Sequence, residues 1–364
     1  MRHAVIAALA TLVVACSILS SFDGIEPRPP AADAGADVAV GVDASAGPDA
    51  GCPLERWPGP PSNAGSTNDL GELTSAVSRL RVLDPVLEGK FQGFDLDGLC
   101  TCPDRPACVG AKANEPCDIG GTGVDNVGDV LFRTFGTQGA ALDDTGLKAG
   151  IQEGQFGVLI RISGYNGEPN DSDVRVTVLN AFGVNGDGGT ARGDGTDTWT
   201  IDEDSLLGRF PAYFSSRAYV TNGTLVADML RVVLRTRIPT LTRKWILVEL
   251  DLRDLHLVAR IGERKGQGIA LEAGRIAGRI PGDAMLAQGM RSGACLDSPI
   301  YATLKPVVCA SRDLPSDPAK DGRDEPCRSL SFGFGFASVP ATAAEKPGTK
   351  RDEFPCPILP DTCD

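Results

Sequence analysis

The 364-residue chain carries 48 acidic against 35 basic side chains, a net charge of −13. That balance argues against nucleic acid as a partner, and against anionic lipid headgroups, because a polyanion is held by a positive surface. Eleven cysteines point to an oxidising compartment and a disulfide framework.

The chain opens MRHAVIAALATLVVAC, with Arg2 followed by the apolar run Ala4–Val14. Such a run is too short to span a bilayer and suits an export signal over residues 1–15. It ends Val13-Val14-Ala15-Cys16, which resembles the lipobox of bacterial lipoproteins. The resemblance implies cleavage after Ala15 and acylation of Cys16; Ser17 in place of Asp favours the outer membrane. Several acyl chains anchor a protein stably where one does not. Residues 16–51 are rich in Ala, Asp, Gly and Pro, too poor in apolar surface to offset chain entropy, and read as a disordered tether. About 25 residues of such coil span roughly 25–30 Å. A single disulfide-stapled domain is expected over 52–364.

Within Asn68–Val82, Leu70, Leu73, Val77 and Leu80 suit one face of a short helix capped by Asn68 or Asp69, with a strand over Ala76–Leu83 as the alternative. Residues 91–129 scatter Cys100, Cys102, Cys108 and Cys117 among Gly, Pro and Asp, which reads as an irregular lobe held by bridges. Zinc is the competing reading, and the lack of a local histidine counts against it. Asp95-Leu-Asp97-Gly98 and Asp125-Asn126-Val-Gly128-Asp129 place carboxylates where oxygens can converge on calcium, making Asp95, Asp97, Asp125 and Asp129 candidate ligands. Turns that use Asp and Gly for backbone geometry are the alternative.

Short helices over Val130–Phe135 and Thr145–Gln152 lead into strands at 156–163 and 173–180, joined by the turn SGYNGEPNDSD. A long polar loop to Ser205 follows. Loops on a rigid scaffold are where binding residues collect. Tyr165, Asn166, Asn170 and Trp199 offer stacking rings and amides for sugar hydroxyls, with Asp171 beside them. Asp187, Asp194 and Asp197 could order the loop around calcium. Asp202-Glu203-Asp204, together with Glu168, Asp171 and Asp173, could supply the acid and base of a carbohydrate hydrolase. Hydrated loop acids are the simpler reading, and the Glu-x-Asp-x-x-Glu signature of β-sandwich glucanases is absent.

Thr224–Ile280 reads as a three-stranded antiparallel meander over 224–238, 245–261 and 268–280. Leu230, Val232, Leu234, Thr236 and Ile238 share the buried face of the first strand. In the second, the apolar phase slips between Leu252 and Leu255, as at a β-bulge. His256 is the one histidine after the signal. It falls opposite Leu255 and Leu257 and reads as a solvated strand residue, and no GxSxG or phosphate-binding motif accompanies it. Asp283–Met290 suggests a short helix. Leu330-Ser-Phe332-Gly-Phe334-Gly-Phe336 alternates aromatic face with bare backbone, a closing strand over 329–337. The sum is an all-β fold: an antiparallel β-sandwich, lectin-like or jelly-roll-like, with irregular disulfide-rich lobes at 91–129 and 293–364 and a few short helices.

ISGYNGEPNDSDV, DGTDTW, GRIAGRI and GFDLDGLCTCP resemble an uncharacterised family of cysteine-rich lipoproteins from myxobacteria, over most of residues 91–330. The resemblance implies a location and one coherent unit, and no chemistry. The expected function is that of a membrane-anchored, surface-exposed or periplasmic lipoprotein acting as a non-enzymatic binding or structural module. Extracellular glycan or a cell-surface protein is the expected partner, and a carbohydrate hydrolase is the alternative. Parity adds one constraint. With Cys16 acylated, five cysteines precede the β-core (Cys52, Cys100, Cys102, Cys108, Cys117) and five follow it (Cys295, Cys309, Cys327, Cys356, Cys363). An odd set cannot pair within itself, so full oxidation requires at least one bridge between the two sets.

Overall fold

Alternating strands bury one face and leave two edges to be hydrogen-bonded, and here the edges meet. The computed structural model describes residues 56–62, 69–81, 86–87, 90–100, 108–109, 123–129, 131, 144–186, 189–239, 245–322, 324–349, 354 and 356–363. The export signal, Cys16, the tether, Cys52, Cys102, Cys117 and Asp187 lie outside the described residues.

The strands are β1 (Leu73–Arg81), β2 (Val86–Leu87), β3 (Lys90–Phe91), β4 (Gly157–Ser163), β5 (Asp171–Val184), β6 (Thr198–Ile201), β7 (Leu206–Leu207), β8 (Phe210–Pro211), β9 (Phe214–Thr221), β10 (Thr224–Pro239), β11 (Trp245–Lys265), β12 (Gly268–Pro281), β13 (Ser329–Pro340) and β14 (Thr342–Ala343). Ten of them form one mixed sheet. Within it β1, β4, β5, β9, β10, β11, β12 and β13 follow one another around a closed ring, because β5 also pairs with β9 and β13 returns to β1. Each of these ring pairings is antiparallel. Two facing sheets were expected; a single sheet curled into a ring is found. Period-2 alternation is the same in both, since each needs one buried and one outer face.

The meander expected over 224–280 is β10–β11–β12. The expected phase slip is present at Asp254, which adopts φ +48°. It occurs in both strands at once: inward residues run Val248, Leu250, Leu252, then Leu255, Leu257 in β11, and Val232, then Met229, Ala227 in β10. Register is therefore unchanged across it, with Met229 opposite Leu255 and Arg231 opposite Arg253. Leu230, expected on the buried face, is turned out and 93% exposed. The Leu73–Leu80 segment is the strand β1 rather than a helix.

Inside the ring lie Phe156, Ile160, Val176, Leu257, Ile276, Phe332, Phe334 and Phe336. Helix α1 (Asp144–Gln152) packs Leu147 and Ile151 into this core and touches β1 and β10, on opposite sides of the ring. Helix α2 (Gly282–Arg291) packs on β11 and β12 and against α3 (Pro299–Ala310), a helix inside the segment expected to be an irregular lobe. Ser298 caps α3 by accepting from the Tyr301 N–H, and Pro299 suits its first turn.

The cross-set bridge exists: Cys108 is bonded to Cys327, with Cα atoms 5.2 Å apart. Cys295–Cys356 and Cys309–Cys363 staple the C-terminal region. Cys100 is also disulfide-bonded. These bridges indicate an oxidising, extracytoplasmic setting and remove Cys100 and Cys108 from any zinc site. Among the described residues no helix is long and apolar enough to cross a membrane.

Where a strand outruns its neighbour, its edge must find other partners. β13 extends beyond the end of β1, and Asn126 takes over. Its Oδ1 accepts from the Gly333 N–H at 2.9 Å, while its Nδ2 donates to the Gly333 carbonyl at 2.9 Å and to the Gln92 carbonyl at 2.8 Å. A Cβ on Gly333 would lie 2.6 Å from Gly93 Cα, so only glycine lets the covering segment approach. Asn126→Ala should lower urea-unfolding stability by about 2–4 kcal/mol, since it strands a buried donor and acceptors. Asn126→Asp, which keeps the acceptor but sets a carboxylate against the Gln92 and Gly333 carbonyls in a buried site, should lose at least as much. A loss under about 0.5 kcal/mol for the alanine variant would refute this role.

Candidate functional site

β12 points Arg275, Ala277 and Arg279 outward, and β10 and β11 point Val226, Asp228, His256 and Val258 the same way. The cysteine-rich lobe lies over them: Phe94, Leu96, Cys108, Leu314 and Cys327 join Tyr219, Val226, Val258 and Ala277 in a second apolar cluster outside the ring, with Trp57 against it. Arg275 stacks over the Phe94 ring at 4.5 Å. Arg279 is fully buried. Its Nη1 donates to the Pro315 carbonyl (3.1 Å) and Asp321 Oδ1 (2.8 Å), its Nη2 to the Leu96 carbonyl (3.0 Å) and Asp321 Oδ2, and its Nε to Asp254 Oδ2 (3.4 Å). One guanidinium thus ties β12 to both halves of the lobe.

His256 is not solvated. Trp57 stacks on its ring at 3.7 Å between centroids, Asp228 Oδ1 lies 2.7 Å from Nδ1, and Asp254 Oδ1 lies 3.7 Å from Nε2. Burial opposes its charge, yet the hydrogen bonds and negative charges of Asp228 and Asp254 outweigh that and hold the imidazole above its usual pKa. Burial likewise works against ionising Asp254, and His256 and Arg279 prevail, holding its carboxyl below the usual range. A histidine clamped between two carboxylates under an indole holds chain segments together.

In the same seam Asp95, Asp97 and Asp125 converge, each presenting an oxygen within 4.8 Å of the other two. The local chain explains the geometry. Asp95 accepts from the Gly98 N–H (2.6 Å) and Arg56 Nε (3.0 Å), Asp97 from the Leu99 N–H (2.8 Å), and Asp125 from the Leu96 N–H (2.7 Å). Calcium takes roughly six to eight oxygens, so these carboxylates would share it with carbonyls and water. Asp129, the fourth candidate, is buried but is not one of the three.

The residues read as a sugar surface are placed differently. Trp199 is 1% exposed, its ring lying over Gly157, where a Cβ would come within 2.7 Å. Tyr165 and Asn166 are buried too. The polar members fix loops: Asp171 accepts from the N–H groups of Asn166 (2.7 Å) and Asp173 (3.1 Å), and Asn170 Oδ1 from the Asn222 N–H (2.9 Å). Asp197 is buried and takes the N–H groups of Arg192 and Gly193 and the amide of Asn185. Asp194, exposed, is held below the usual carboxyl range mainly by the Thr196 hydroxyl and N–H. Of the hydrolase acids, Asp202 and Asp204 both meet Arg235, which also holds Glu249 (2.8 Å), and Glu203 accepts from the Thr349 hydroxyl (2.6 Å). Sequence reasoning missed Arg235, Arg279 and the burial of His256. The arginines of GRIAGRI at alternating strand positions were the available signal for Arg279.

Comparison with family models, curated proteins and solved structures finds no match.

The raised imidazole pKa makes stability pH-dependent. A group whose folded-state pKa exceeds its unfolded value of about 6.5 stabilises fully below that value, and the contribution fades as pH rises through the folded-state pKa. Burial pushes Asp313 up to about 6, so its titration falls largely below pH 7. Unfolding free energy by urea should decline from pH 7 to 8.5 in the native chain and stay level in His256→Gln. Parallel profiles for the two would refute the linkage.

Proposed function

We propose that the chain is a membrane-anchored lipoprotein of the cell envelope, acting as a non-catalytic binding or structural module. The observation that carries this is how the acid–base side chains are used. His256 is clamped between Asp228 and Asp254, and Asp202 and Asp204 close on Arg235. The lipobox-like ending at Cys16, and the resemblance of four motifs to those of myxobacterial lipoproteins, support the location. Carbohydrate as the ligand draws no support from Trp199 or Tyr165, whose rings are covered. Cys16→Ala should move the protein from the membrane to the soluble fraction, and the released domain should cleave nothing in a glycan panel. Unchanged fractionation, or any cleavage product, overturns the reading.

Calcium is a second reading, favoured by the convergence of Asp95, Asp97 and Asp125 from two separate chain segments. A cation bound only by the folded state raises the melting temperature with its concentration. The melting temperature should climb from chelator to excess calcium, and Asp97→Asn should abolish the climb. Superimposable native melts in the two conditions remove calcium from the proposal.

A further inference from the structure

Between β6 and β9 the chain leaves the ten-stranded sheet and returns through the β7–β8 hairpin. Its base is pinned along β5: the Asn180 N–H donates to Ser205 Oγ (2.8 Å), the Val178 N–H to the Tyr213 carbonyl (3.1 Å), and Arg235 grips Asp202 and Asp204. Leu207 and Phe210 are register partners and so share one face of the hairpin. They are 71% and 75% exposed, and Phe214, at the start of β9, is 59% exposed. Apolar residues scattered singly need no explanation, but two large ones paired on a pinned hairpin, with a third at the start of the next strand, do. Charge sets this stretch of chain apart as well, beyond the exposed Glu203 and Asp204 that precede it, of which Asp204 is paired with Arg235. From Ser205 to Ala227 there is no acidic residue, while Arg209 and Arg217 are both exposed, in a chain of net charge −13.

We propose that this face docks on a lipid bilayer, with Leu207, Phe210 and Phe214 at the boundary between headgroups and acyl chains and Arg209 and Arg217 at the lipid phosphates. Arginine stems lie along apolar surface while their guanidinium groups reach phosphate, which is the chemistry of an interfacial anchor. The acidic charge of the whole chain does not oppose this at contact, because salt screens it beyond about 8 Å under physiological conditions. Charge also argues against a second copy of the chain. A two-fold contact sets the same patch against itself, and within Ser205–Ala227 that patch offers Arg209 and Arg217 no acidic partner. The docking does not require the acyl group at Cys16, so it can fail while the anchor stands.

The test uses the chain from Ser17 onward, which keeps every described residue and lacks the acyl site, sedimented with vesicles of phosphatidylethanolamine and phosphatidylglycerol. The native sequence should co-sediment. The Leu207→Ser/Phe210→Ser variant should lose at least about tenfold in the bound-to-free ratio, as expected for removing two large apolar contacts. Arg209→Glu/Arg217→Glu should also lose binding while keeping the native melting temperature, which separates docking from folding. A native chain that stays in the supernatant, or variants that sediment as it does, would overturn the proposal. So would a concentration-dependent dimer that disappears in Leu207→Ser/Phe210→Ser, which would assign the face to a second copy.

Discussion

Closing a ring from strands of unequal length is the constraint on which the rest of this structure depends. β4 has 7 residues and β11 has 21, so no uniform ladder can satisfy every edge. Three amide side chains take the place of missing strands. Asn126 faces Gly333 where β1 has ended. Asn180 accepts from the Arg235 N–H at 2.9 Å and donates to the Val233 carbonyl at 2.8 Å, beyond the last pairing of β10 with β9. Gln288, on α2, accepts from the Glu249 N–H at 2.7 Å and donates to the Leu247 carbonyl at 3.1 Å, before β12 joins β11. A carboxamide presents one acceptor and two donors on a flat group, much as a peptide does. That is why Asn and Gln, unlike an ionised Asp, can answer both the N–H and the C=O of an open edge.

The same closure fixes where the lobe can sit. The outward kink at Asp254 aims its carboxylate at both Arg279 and His256, and Arg279 then reaches Asp321, Pro315 and Leu96. Burying a guanidinium costs several kcal/mol before any pairing, so this network is weak as a source of net stability. Its five donors are nonetheless all answered, and the planar fork accepts only one arrangement of its partners. The contribution is orientation. Apolar contacts among Phe94, Leu96, Val226 and Val258 supply the adhesion, and the buried arginine selects which adhesion is allowed.

How much of this was legible follows from what each signal measures. The strands at 224–239, 245–265 and 329–340 were readable because their alternation is long and their breaks carry turn residues. β1 was ambiguous because both of its faces are largely buried, so Thr74 and Ser75 sit beside Leu73 and Val77 without a clean period. Leu230 misled because alternation alone does not show that a phase slip in β11 forces one on β10 as well. The ring itself was not legible: nothing local distinguishes a strand facing a second sheet from one facing the far side of its own. His256 looked solvated because a strand pattern reports which face a residue is on, and cannot report that a segment more than a hundred residues away, here Trp57, covers that face.

The Asp-, Asn- and Gly-rich loops show the same limit from the chemical side. The motif that suits calcium also suits a turn, since both use a short carboxylate beside a flexible backbone. What separates them is where the oxygens point. Asp197 turns its carboxylate onto the N–H groups of its own loop and the Asn185 amide, so its charge is answered locally and the loop is closed. Asp95, Asp97 and Asp125 each accept backbone hydrogen bonds too, yet they come from segments some thirty residues apart in sequence and still bring their oxygens together. Turn geometry explains each of these residues singly. It does not account for three carboxylates meeting in one buried seam; the Arg56 guanidinium on Asp95 offsets part of that charge, and a divalent cation would offset the rest.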